Sequence, residues 1–231
     1  TTTWAMRALR GYFLPPAFLS SAPASSFGLR SVSTSGSAEA AGVVAYLQQR
    51  GMGEDLIRRF HLGFAPPGWE HLSLHLKQTV DFVRAEPELL LEAGLANSKE
   101  GREDSCYDRF RNRLIIPICD DKGQVVAFGG RALKNAEGEE EKPKYLNSPE
   151  TPVYIKNRTL YGLHLAAAEI RQRRNVVVME GYFDVMAAHA NGITQAVGSC
   201  GTALTEGHLK LLVRYGTETI YLAFDSDEAG Q

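Results

Sequence analysis

Acidic residues are missing from the first 38 positions: no Asp or Glu precedes Glu39, and no Lys occurs there either. Cysteine is scarce, with Cys106, Cys119 and Cys200 the only three in 231 residues. An odd, sparse set excludes a secreted disulfide scaffold. No C-x-x-C pair accompanies them, which excludes a zinc module. No run approaches the roughly 18 apolar residues of a membrane-spanning helix. Hydrophobic content of 44% and charged content of 23% exclude a mainly disordered chain, a collagen-like repeat and a coiled coil. The length fits one or two domains, and a chain of this size buries a core without a disulfide or metal staple.

What charge there is falls in blocks. Residues 1–38 carry Arg7, Arg10 and Arg30 among eight Ser, four Thr and six Ala. That is the make-up of an organellar transit peptide, directing the chain to a mitochondrion or plastid. An interdomain linker has a similar composition and leaves a bacterial cytoplasm or nucleoid open. Residues 39–108 hold 7 basic and 12 acidic side chains, residues 109–174 hold 13 and 8, and residues 175–231 hold 2 and 7. The basic middle suggests a polyanion surface and the acidic end a cation site; solvated faces are the plainer alternative.

From Glu39 the pattern turns helical. Val43, Val44 and Leu47 share a face, and Arg50-Gly51 ends the helix. Glu54–Phe60, Trp69–Gln78 and Glu86–Glu92 read as three more helices around the turn Ala65-Pro66-Pro67-Gly68. His71 and His75 have the i,i+4 spacing of a metal pair, but no third ligand accompanies them.

At Asp108 the character changes. Arg109–Ile118 and Gln124–Arg131 read as two strands of a hairpin about Cys119-Asp120-Asp121-Lys122-Gly123. A period of two puts Arg109, Arg111 and Arg113 on one face, matched by phosphates or by local acids such as Asp108. Gly129-Gly130 lets a backbone approach a ligand or another chain closely. Lys144-Tyr145-Leu146-Asn147-Ser148-Pro149-Glu150-Thr151-Pro152 reads as an ordered loop, since its prolines forbid a helix. A cation, a ring and an amide within four residues suit a nucleotide. Lys156 and Arg158 extend the basic line, and Leu160–Arg173 is an amphipathic helix.

The last block reads as β-α-β-α-β. Strands are expected over Asn175–Glu180, Gln195–Ser199 and Thr219–Phe224, with helices over Tyr182–Ala190 and Glu206–Tyr215, the second capped by Thr205. Short crossovers make a parallel sheet whose strands end at one edge, where ligands sit. Glu180 and Asp225 therefore meet there, with Asp227 two residues on and Asp184 one helical turn after Glu180. Carboxylates converging without Lys or Arg call for a divalent cation, and all-oxygen ligation suits Mg²⁺ or Mn²⁺.

Glu180-Gly181-Tyr182-Phe183-Asp184-Val185 and Phe224-Asp225-Ser226-Asp227-Glu228-Ala229-Gly230 resemble the first two acidic motifs of the Toprim domain. Arg109-Phe110-Arg111, Phe128-Gly129-Gly130-Arg131 and the loop Lys144–Pro152 resemble DnaG-type bacterial primases, over about residues 39–231. The resemblance implies an α/β chain: an α+β subdomain over 39–174, then an incomplete Toprim domain over 175–231, behind a leader over 1–38. It implies Glu180, Asp225 and Asp227 as catalytic metal ligands, with Asp184 in support. It implies Arg109, Arg111, Lys144 and Lys156 as a ridge for single-stranded DNA template; nucleotide contact by Arg131, Tyr145 and Asn147 is inferred beside it. The implied reaction is RNA primer synthesis from ribonucleoside triphosphates.

The sequence departs from that family in lacking its zinc module and in stopping at Gln231 before a third acidic D-x-D motif. The region that would meet a replicative helicase is absent too, and the chain as it stands is expected to make no primers. Phe183 and Ser226 replace the usual Met and Gly. Two rival readings are a Toprim nuclease or topoisomerase, which would lack the Lys144–Pro152 loop, and a non-catalytic single-strand-binding relic, which would tolerate loss of Glu180.

Overall fold

A computed structural model of the chain describes residues 38–86, 88–99, 102–134, 142–201 and 203–225. The expected leader, all but its last residue, lies outside them, as does Asp227. Helices α1 (Ala38–Gln49) and α2 (Glu54–Arg59) lead into strand β1 (Gly63–Ala65). Helices α3 (His71–Thr79), α4 (Asp81–Ala85) and α5 (Leu89–Glu92) follow. Strands β2 (Ala96–Lys99) and β3 (Arg102–Asp108) pair antiparallel as a separate hairpin. Strands β4 (Arg113–Cys119) and β5 (Val125–Ala132) form the expected hairpin. With β1 and β6 (Tyr145–Asn147) they make a sheet of order β1-β4-β5-β6. All seven residues of β4 and all eight of β5 are buried, because helices and the second half of the chain cover both faces.

The second half follows the expected pattern. Helix α6 (Leu163–Arg173) is followed by β7 (Asn175–Met179), α7 (Tyr182–Ala190), β8 (Ala196–Gly198), α8 (Glu206–Arg214) and β9 (Thr219–Ala223). The sheet is parallel, of order β8-β7-β9, with Met179 opposite both Gly198 and Ala223. Gly181 caps α7 in an extended conformation, and Thr205 caps α8 through its hydroxyl, which accepts from the His208 amide at 3.3 Å.

Helix α7 is buried on two sides. Its Tyr182, Phe183, Val185 and Met186 join a core with Val43 and Leu47 of α1, Ile57 of α2, and Leu114, Ile116 and Val126 of the hairpin. Burial of that many large apolar side chains, each contributing about 1.5–3 kcal/mol, fixes the parallel sheet against the first half of the chain.

Three expectations are corrected. The lead-in before Asp108 is not only helical: β1 and the β2–β3 hairpin lie within it. The alternating strand from Arg109 does not form, because Arg109–Asn112 is a loop and Asn112 takes a left-handed φ of 46°. Asn tolerates that conformation better than most residues, and it breaks the period-two register. The glycine pair admits no ligand: a Cβ on Gly129 would stand 2.8 Å from the Tyr182 ring, and one on Gly130 would stand 2.8 Å from Phe110. Both close approaches are internal: Gly129 meets the start of α7, and Gly130 meets the loop that leads into β4.

Candidate functional site

Parallel pairing governs the acidic edge. Glu180 directly follows β7, and Asp225 stands two residues beyond β9, so both leave the same end of the sheet. The Glu180 carbonyl accepts from the Cys200 amide at 3.0 Å, which ties down the loop after β8. Asp184 lies in the first turn of α7 with its carboxylate folded over Gly181, where the helix dipole favours negative charge. Glu180 is half-buried; Asp184 and Asp225 are exposed. No ion pair to any of the three occurs among the described residues. Unpaired oxygen donors are what a hard divalent cation requires. Among the described residues, however, no group of three or more His, Cys, Asp or Glu side chains could hold a metal ion.

Beside this edge stands a cluster of cations and rings. Tyr145 of β6 is exposed, and its ring lies 6.5 Å from that of Tyr182. The Arg131 guanidinium lies 5.4 Å from the Tyr145 ring and 5.9 Å from that of Tyr46, and its Nη1 donates to the Ala132 carbonyl at 2.5 Å. Arg131 is itself 3% exposed, so it sits beneath the surface that Tyr145 presents. Burial pushes the Tyr145 hydroxyl up, against the opposing pull of Arg131. Arg50 lies 4.9 Å from the rings of both Tyr46 and Phe183. In the sequence Arg50 marks the end of α1, and its one further signal is the aromatic Tyr46 one turn before it.

The predicted basic ridge divides into structural and exposed members. Arg109 donates to Asn97 Oδ1 at 3.1 Å and to the Asn147 carbonyl at 2.9 Å, and desolvation by burial lowers its pKa. Arg111 donates to the Asp108 carbonyl at 2.6 Å and stacks 4.3 Å from the ring of Trp69, which is 61% exposed. Arg113 is buried and donates to the Pro143 carbonyl at 2.8 Å. The Asp108 carboxylate takes none of these guanidiniums: it accepts from the Leu72 and Ser73 amides at 2.6 and 2.9 Å and holds the start of α3. Lys144 is exposed and Lys156 half-buried.

Much of the Lys144–Pro152 loop serves its own placement. The Asn147 side chain donates to the Cys200 carbonyl at 3.2 Å and accepts from the Tyr182 hydroxyl at 2.9 Å, joining β6 to the acidic edge. Buried Ser148 exchanges two bonds with Phe128, its amide donating at 2.8 Å and its hydroxyl accepting at 3.0 Å. Pro149 lies where a Cβ on Gly94 would fall. The Glu150 carboxylate accepts from the Lys156 amide at 2.9 Å.

Both halves of the chain match known proteins. A family described as the DNA primase catalytic core, N-terminal domain, matches residues 32–167, and a Toprim-like family matches residues 177–231. The DNA primase of Pseudomonas putida is 43% identical over 190 residues, which is 81% of this chain and 27% of that protein. The DNA primase of Deinococcus radiodurans is 46% identical over 187 residues, 80% of this chain and 31% of its own. The chain thus spans under a third of the length of these curated relatives. Among solved structures, the RNA polymerase domain of Mycobacterium tuberculosis primase DnaG superposes with a TM-score of 0.80 at 35% identity, covering 99% of this chain and 67% of that one. A DnaG primase catalytic domain bound to ssDNA gives 0.78 at 34% identity, covering 99% of this chain and 62% of that one. With both halves matched in order and the acids at one edge of a parallel sheet, the chain belongs to the DnaG-type DNA primase catalytic-core family.

Proposed function

We propose that this chain forms part of an enzyme that synthesises short RNA primers on a single-stranded DNA template from ribonucleoside triphosphates. The observation that carries the reading is the pairing of β7 with β9, which sends Glu180 and Asp225 off the same sheet edge, next to the exposed ring of Tyr145. Glu180, Asp225 and Asp227 would hold Mg²⁺ or Mn²⁺, with Asp184 in support. A divalent ion there neutralises triphosphate charge and orients the reacting oxygens. The chain's own residues do the rest. Lys144, exposed just before β6, offers positive charge to phosphates. Tyr145 presents a ring face to a base. Arg111, stacked on exposed Trp69, and Lys156 flank the template backbone; Arg109 and Asn147 serve mainly by holding β6 in place. The known structure of a related catalytic domain with ssDNA supports a DNA template.

The test is Glu180→Gln in the full-length protein, followed by labelled nucleotide incorporation with Mn²⁺ or Mg²⁺. The change is near-isosteric and removes one charge. Synthesis should fall by about 100-fold or more, the scale of about 2.7 kcal/mol of lost charge stabilisation, with an unchanged circular dichroism spectrum. Near-wild-type synthesis would overturn the assignment of the acidic edge.

A further inference from the structure

Lys156 is held by its backbone from two directions. Its amide donates to Glu150, six residues back, at 2.9 Å. Its carbonyl, 52 residues away in sequence, meets His208 Nε2 at 2.8 Å. His208 lies in the first turn of α8 and is 0% exposed. Its other ring nitrogen, Nδ1, accepts from the Thr205 amide at 3.3 Å, completing a capping box in which histidine replaces the usual Glu or Gln. With Nδ1 accepting, Nε2 carries the proton and donates to Lys156. The neighbouring carbonyl, that of Asn157, accepts from the Thr205 hydroxyl at 2.8 Å and lies against Gly207, where a Cβ would collide with it. The start of α8 thus grips two successive carbonyls of the 3₁₀ turn Lys156–Arg158.

A helix cap needs only the Thr205 side of this arrangement. A donor aimed outward at a surface lysine's carbonyl adds nothing to the cap. It sets where that lysine stands relative to the parallel sheet. The Lys156 ammonium has no ion-pair partner among the described residues. Its stem has four rotatable bonds, so a fixed backbone narrows where the ammonium can stand.

We propose that His208 is a positioning residue: it fixes the Lys156–Arg158 turn to the parallel-sheet half of the chain, so that Lys156 meets the template phosphates at a set distance from the acidic edge. The proposal rests on the reading of Lys156 as a template contact.

The test is a double-variant cycle in the full-length protein, with oligo(dT) as the probe and binding titrated at several salt concentrations. Lys156→Ala should lower the slope of log K against log salt by about 0.7, the value for one single-strand phosphate contact. His208→Leu should lower it by a similar amount in the wild-type background and leave it unchanged in the Lys156→Ala background. His208→Gln should restore binding, since its amide oxygen and nitrogen can replace the acceptor and the donor. Amide hydrogen exchange supplies a readout independent of DNA. In His208→Leu, exchange should quicken at Arg158 and Thr159, whose amides close the turn, while α7 stays protected. Equal slope losses from His208→Leu in both backgrounds, or unchanged exchange at Arg158 and Thr159, would overturn the positioning role. If Lys156→Ala leaves the slope unchanged while exchange quickens as expected, the template role of Lys156 fails and the clamp stands.

Discussion

Gly129→Ala tests whether the approach of α7 to the hairpin holds the acidic edge in place. Gly129 pairs with Ile116 on one side and Asn147 on the other, so its backbone cannot withdraw. A methyl group there would stand 2.8 Å from two atoms of the Tyr182 ring and 2.9 Å from its hydroxyl oxygen. That ring is buried and meets Tyr161 edge-on at 4.9 Å, so it has little room to yield. Burial keeps the Tyr182 hydroxyl protonated far beyond its ordinary range, and it donates to Asn147. Overpacking of this kind costs about 1–3 kcal/mol. At about 2 kcal/mol the melting midpoint should drop by about 4–8 °C for a domain near this size. The Asn147–Tyr182 bond should loosen with it, so nucleotide incorporation should fall more than stability alone explains. Thermal and urea denaturation of the single variants and of the pair Gly129→Ala with Tyr182→Leu would measure the coupling. A leucine removes the clashing ring atoms, so the pair should cost less than the sum of the single changes by about 1 kcal/mol or more. A Gly129→Ala protein within about 0.5 kcal/mol of wild type, the range of a bland surface change, would refute the argument, as would strict additivity.

Two further outcomes follow from the same geometry. Trp69→Ala should weaken single-strand binding by about 1–3 kcal/mol, the contribution of one stacked base, and tryptophan fluorescence should quench on oligonucleotide addition only while Trp69 is present; unchanged affinity would remove it from the template surface. His189 is buried on α7, and desolvation lowers its pKa below the ordinary 6.5, so its contribution to stability is present above 6.5 and is lost as pH falls through 6.5 towards the folded value, where the unfolded chain binds a proton that the folded one refuses; urea midpoints measured from pH 7.5 to 5 should show that decline, and His189→Gln should flatten it.

The parallel half was readable because its signals are local and agree. Val176 and Val178 form a buried strand, Gly181 opens α7, and Thr205 opens α8, each within a few residues of the feature it sets. Two strands of like direction in one sheet then bring Glu180 and Asp225 to one edge without any knowledge of contacts. The first half was harder for the opposite reason. Strand β1 has only three residues, and its partner β4 lies about fifty residues away in sequence, so no periodicity announces it. The β2–β3 hairpin is polar along most of its length, so no apolar alternation marks it.

The arginines show where residue type and structure part. Spacing put Arg109, Arg111 and Arg113 in one row facing phosphate. The chain instead spreads them over three tasks, because Asn112 breaks the register and carbonyls of Asn147, Asp108 and Pro143 receive the guanidiniums. A guanidinium has five donors, so a backbone bond does not remove it from ligand recognition. It does fix where the remaining donors point. Arg109, held at both ends of its fork, is braced inside the first half, whereas Arg111 lies over exposed Trp69. The same logic applies to the Lys144–Pro152 loop. Its specific look as a motif comes from Asn147, Ser148 and Glu150, whose polar atoms serve the fold. Of the residues that the motif offers to a nucleotide, Lys144 and Tyr145 stay exposed, and there sequence alone cannot separate a ligand contact from a solvated side chain. What separates them here is the neighbour: Tyr145 packs beside Tyr182, two residues from Glu180, so a base on its ring would lie next to the acidic edge.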